Sequence, residues 1–180
     1  RIGPTTFRWG ERTFVMGIIN VTPDSFSGDG LLAGGDPLER AVAVARQMVA
    51  EGADVLDIGG ESTRPGHDLV PAAAERARVI PVVAAIRAAL PDTPISIDTA
   101  KADVAEAALA AGADLLNDVW GTAPEGEMAA VAAGHGVPLV VMHNRAEARY
   151  RALIPEVIAD LQGAIERAIA VGVAASDVIV

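Results

Sequence analysis

Residues 111–119 read AGADLLNDV, and residues 51–60, EGADVLDIGG, repeat the same phrase. In both, an Ala-rich stretch ends in Gly, and a short step leads into an apolar run that carries a carboxylate or amide near its close. HGVPLVVMH at 135–143 and VGVAASDVIV at 171–180 are two further variants. Gly in that place is a helix C-cap signal, because it enters left-handed backbone without a steric penalty. Between the phrases lie segments of helical spacing at 37–51, 72–90, 101–111, 126–133 and 152–171. The first has a full start signal, with Asp36 as N-cap, Pro37 at the first helical position and Glu39 at the third, like a capping box. Pro81 is expected to kink the second.

Strand and helix therefore alternate, which predicts a parallel sheet with right-handed crossovers, either doubly wound or closed into a barrel. Strands are expected to begin near residues 14, 55, 95, 115, 138 and 177. That is roughly 33 residues per unit, so eight units need about 260, close to the ~250 of a TIM (β/α)8 barrel. The pattern predicts an α/β TIM barrel as a single domain over residues 1–180, an N-terminal portion that stops inside its sixth strand.

Composition narrows the function. The chain is 51% hydrophobic with a mean hydropathy of +0.35, enough for a full core. Its apolar runs are strand-sized, well short of the ~18 residues of a membrane span, and its first residues lack a secretory stretch. A formal charge of −10 opposes binding to nucleic acid or anionic lipid. The absence of cysteine excludes disulfides and cysteine zinc sites. A cytoplasmic protein with no nucleic-acid or membrane partner is expected.

In either parallel architecture the site lies at the C-terminal ends of the strands. Those ends carry Asn20, then Asp57 with Gly59, Gly60, Glu61, Ser62, Thr63 and Arg64, then Asp98 with Thr99, Asn117 with Asp118, and Met142 with His143. Asp98 ends the buried run ISID, where an unpaired carboxylate is penalised and needs donors from protein or ligand. With Asn117 it can satisfy a flat heterocycle that offers amine and ring N–H groups beside acceptors. Arg64, after a Gly-Gly pair, can bind phosphate or carboxylate through both arms of its fork. Asn20 can offer a carbonyl oxygen to Mg²⁺. Met128 and Trp120 read as packing residues, and His67 and His135 as loop or helix-end residues. Gly28, Gly30 and Ala33 fit a dinucleotide fingerprint but stand too far from the preceding strand to turn out of it.

Taken in order, MGIINVTPDSFSGDG, GGESTRPG, ISIDT with Lys101 after it, LLNDV and VVMH resemble bacterial dihydropteroate synthases. The resemblance implies that p-aminobenzoate condenses with 6-hydroxymethyl-7,8-dihydropterin diphosphate to give dihydropteroate and diphosphate, with Mg²⁺ bound. It implies Asn20 as metal and diphosphate contact, and residues 22–27 as a closing loop. Thr63 and Arg64 come to lie near diphosphate and p-aminobenzoate, Asp98 and Asn117 become pterin readers, and Met142 and Val119 walls of the pterin slot. Loop residues Asp24, Ser25 and Arg64 are the catalytic candidates. A homodimer of the full-length chain is expected. The family's later elements, DPGFGF, SRK and an Arg-x-His, would fall after Val180, and NRAEARYRAL follows His143 where many members carry M-x-G-x-P. Three rivals are a pterin-binding methyltransferase domain, a noncatalytic pterin-binding paralogue, and a metal-dependent hydrolase built from Asp57, Asp98, Asp118 and His143.

Overall fold

The apolar runs become strands and the Ala-rich segments become helices. In chain order they are β1 (Met16–Asn20), α1 (Pro37–Ala50), β2 (Val55–Gly59), α2 (Ala72–Ala89), β3 (Ile95–Asp98), α3 (Ala102–Ala111), β4 (Leu115–Asp118), α4 (Glu127–His135), β5 (Leu139–Val141), α5 (Leu153–Ala170) and β6 (Val178–Ile179). The structure, a computed structural model, describes residues 1–21, 36–61, 69–120, 127–145 and 147–180. Asp36 caps α1, its carboxylate accepting from Leu38 N at 3.0 Å. Pro81 lies inside α2, which continues past it as part of one 18-residue helix.

The four glycines of the repeated phrase end their helices in the same way. Gly52, Gly112, Gly136 and Gly172 each donate to a carbonyl three residues back, and the residue after each donates to one five residues back. These paired bonds are the Schellman motif, and all four glycines have positive φ. The aspartates of the two GAD copies also share a role. Asp54 N donates to Val15 O at 2.7 Å while Val15 N donates to the Asp54 carboxylate at 2.8 Å. Asp114 N and Ile95 exchange the same two bonds, at 2.7 Å and 2.9 Å. Each carboxylate also pairs with an arginine, Arg12 for Asp54 and Arg87 for Asp114. The phrase recurs because it both stops a helix and fastens the next strand to the edge of its neighbour.

The strands are all parallel and lie in the order β1-β2-β3-β4-β5-β6. Strand order never reverses, as it would in a doubly wound sheet. Helices cover one face only: Ile19, Leu56, Ile58, Ile95, Ile97, Leu116 and Leu139 share a single core with buried residues of all five helices. On the opposite face Val55 and Leu115 meet Ile2 and Phe7, with Phe14, Val140 and Ile179 packed around them. One helix-covered face, one inward face and sequential order make this the wall of a (β/α) barrel. The N-terminal segment closes its base, where Phe7 lies 5.3 Å from Trp9 and 4.9 Å from Phe14, ring centre to ring centre.

Candidate active site

Register carries the strand-end residues to one level. Asn20 pairs with Gly59, Gly59 with Asp98, and Asp98 with Asn117. Strand alternation sets Asp57, Gly59 and Asn117 on the inward face with Val55 and Leu115, and the ladder sets Asp98 there with them. Gly59 contributes no side chain, and the Asp98 carboxylate leans over it: a Cβ at Gly59 would stand 3.5 Å from Asp98 Oδ2. One level deeper, Asp57 faces Ser96 across the ladder. Asn117 reaches down from the rim and donates through Nδ2 to Asp57 Oδ2 at 3.0 Å.

Among the described residues the inward face is rich in acceptors and poor in donors. Asp57 Oδ1, Ser96 Oγ and Asp98 Oδ1 are buried without a hydrogen-bond partner. Burial raises the Asp98 pKa to about 7, helped by the negative charges of Asp57, Glu75, Asp118 and Glu61. Burial also pushes the Asp57 carboxyl up, against the opposing pull of the nearby Ser96 hydroxyl, which is out of hydrogen-bond geometry, and the Asn117 amide. A ligand presenting N–H groups would supply what these oxygens lack.

Lys101 is occupied elsewhere. Its ammonium binds Glu75 Oε2 at 2.6 Å and also Glu61 Oε2, while Glu61 Oε1 accepts from Val70 N at 3.1 Å. Burial draws the lysine pKa down, but the two carboxylates outweigh it and the pKa lies above its ordinary value. Glu75 is fully buried. Its place in AAAERARV marks it as an ordinary helix-surface residue, so the sequence offers no sign of this knot between the end of β2, α2 and the start of α3.

The remaining candidates are distributed as follows. Met142 follows β5 at the rim, 44% exposed, and Val119 follows β4, where its carbonyl accepts from Asn144 Nδ2 at 3.1 Å. Met128 packs in the core, whereas Trp120, expected to pack as well, is 43% exposed. His135 sits at the end of α4 against Glu106. His143 turns toward α5: Nε2 meets Tyr150 Oη at 2.9 Å, and Nδ1 lies 3.1 Å from Asp160 without hydrogen-bond alignment. Arg145 joins the same group, holding Glu156 and Asp160 at 2.8 Å each. Asp118 lies on the helix-facing side of β4 and accepts from Trp120 N at 3.1 Å. Asp57, Asp98, Asp118 and His143 therefore do not converge as a hydrolase centre requires. Asp24, Ser25, Thr63, Arg64, His67 and the run from Gly28 to Ala33 lie outside the described residues.

Comparison with known proteins agrees with this geometry. The model of the family described as pterin binding enzyme matches residues 16–180. The dihydropteroate synthase of Bacillus subtilis strain 168 is 47% identical over 176 residues, covering 98% of this chain and 60% of its own length. Among solved structures, the dihydropteroate synthase of Clostridium difficile, crystallised with pteroic acid, superposes with a TM-score of 0.87 at 45% identity, covering 96% of this chain and 65% of that one. The Xanthomonas albilineans enzyme with 4-aminobenzoic acid gives 0.84 at 43% identity, over 93% and 60%. The chain thus spans less than two thirds of the length of these relatives.

Proposed function

The chain belongs to the pterin binding enzyme family, and on that premise we propose that it carries the pterin-binding side of a dihydropteroate synthase. The observation that carries this reading is the level formed by Asn20, Gly59, Asp98 and Asn117, with a buried, unpartnered Asp98 oxygen at its centre. In the reaction the amine nitrogen of p-aminobenzoate forms a bond to the methylene carbon of the pterin diphosphate. The carbon–oxygen bond to diphosphate breaks, and the amine gives up a proton.

Asp98 accepts from the ring's N–H groups, and Asn117 offers its amide beside it, so the polar edge of the ring is held against these two side chains. Asn20, exposed at the end of β1, lies at the same level on the side away from Asn117. Among the described residues no three His, Cys, Asp or Glu side chains gather to hold a metal. An amide oxygen completed by diphosphate and water is a donor set that suits Mg²⁺, a hard cation that keeps its waters. Mg²⁺ there would neutralise charge on the leaving diphosphate. Thr63 and Arg64 would complete the diphosphate and p-aminobenzoate end, and Asp24 and Ser25 the loop that closes over it. The full-length chain would pair as a homodimer. Among the described residues no helix is long and apolar enough to cross a membrane.

Asp98→Asn tests the reading, because it turns one acceptor into a donor that faces a donor. Calorimetry with 6-hydroxymethyl-7,8-dihydropterin diphosphate should show binding weakened by about 2 to 4 kcal/mol. Unchanged affinity in a folded variant would remove Asp98 from the pterin site.

A further inference from the structure

Asp57 takes no direct part in the reaction described above, yet it is buried to 3% exposure in the floor beneath the rim. A carboxylate so placed loses its hydration, and an apolar side chain of similar size would fill the space at lower cost. Among the described residues its hydrogen-bond partner is the Asn117 amide, sixty residues away and one level above, at 3.0 Å. Its second oxygen and the neighbouring Ser96 hydroxyl have none.

A primary amide is nearly symmetric in shape and opposite in function at its two ends, so an unsupported one presents either order of donor and acceptor. A carboxylate can only accept. We propose that Asp57 is a positioning residue that locks the Asn117 amide in one of its two orientations, and thereby sets the site's preference for a 2-amino over a 2-oxo pteridine. The inference rests on the reading of this face as a pterin site. With Nδ2 held toward Asp57, the Asn117 amide offers its oxygen and its remaining N–H to the ligand in a fixed order. A pterin ring presents an amino donor at C2 beside the N1 acceptor, whereas its 2-oxo counterpart, a lumazine, presents an acceptor beside an N1–H donor. The two rings match opposite orientations of the same amide.

The test is Asp57→Asn, which keeps the size but lets either end of its own amide face Asn117. Binding of 6-hydroxymethylpterin and 6-hydroxymethyllumazine is measured calorimetrically for the protein and the variant. The protein should favour pterin strongly, and the variant should compress that preference at least tenfold, mainly by gaining lumazine affinity. A variant that loses both ligands by the same factor, or keeps the original ratio, overturns the inference. If the protein itself binds neither ring, the functional reading falls and this inference falls with it. A second measurement covers the case in which Asp57→Asn does not fold. In the ¹⁵N-labelled protein, the Asn117 side-chain NH₂, assigned through Asn117→Asp, should show one proton shifted downfield and protected from solvent exchange. Two freely exchanging protons would show that Asp57 holds nothing.

Discussion

At the scale of single residues, the described part of the site is short of hydrogen-bond donors. Asp98, with its pKa raised to about 7, is protonated in the folded protein below that pH, while in the unfolded chain it ionises near ~4. The stability this group contributes is therefore present below about pH 4 and lost as pH rises toward 7. Asp98→Asn removes the loss, so its midpoint of thermal unfolding without ligand should exceed that of the unsubstituted protein, by more at pH 8 than at pH 5. A constant difference across that range would mean that the carboxylate is solvated. The same substitution that weakens ligand binding should thus strengthen the empty protein, as expected where a site holds a group for function at some expense of stability. Asn20 should behave differently. Asn20→Ala should weaken binding of the diphosphate-bearing pterin about tenfold or more and leave free hydroxymethylpterin nearly unaffected. Equal losses for both ligands in calorimetry would make Asn20 a loop-shaping residue instead.

At the scale of elements, much was legible in the sequence. The Gly ending each Ala-rich stretch, the Asp36–Pro37 start and the apolar runs located strands and helices to within about two residues, because cap and period signals are local. What escaped depends on partners remote in the chain. The GAD phrase announced a helix end, but that its Asp fastens a neighbouring strand shows only when Val15 and Ile95 are seen beside it. Asp57 was visible as one polar strand residue among several, and its bond to Asn117 was not. Lys101, the chain's lone lysine, joins β2, α2 and α3 through Glu61 and Glu75. Lys101→Met would leave Glu75 buried without its counter-charge and should cost about 3 to 5 kcal/mol in chemical denaturation. Adding Glu75→Leu should restore most of that loss. If Lys101→Met alone costs under about 1 kcal/mol, the knot is ornamental.

At the scale of the molecule, β1 pairs with β2 and β6 with β5, and the inward face of β1 is open, with Ile18 59% exposed. A polypeptide of residues 1–180 alone should form no dihydropteroate when purified and supplied with both substrates and Mg²⁺. The same chain extended to the length of its relatives should form it. Comparable turnover by the two would mean that these residues hold the whole site. The sequential strand order has a further consequence, for the time at which structure forms. The strands β2 to β5 each pair with the strands one unit before and after, so strand pairing need not wait for distant chain to arrive, and loop closure costs little at each pairing step. A nascent chain can therefore lay down its sheet in the order of translation, each new strand docking on an edge already formed behind it. Translation would leave exposed edges only at β1 and at the growing front, where a fold that places a late strand between two early ones would leave a gap to be filled afterwards.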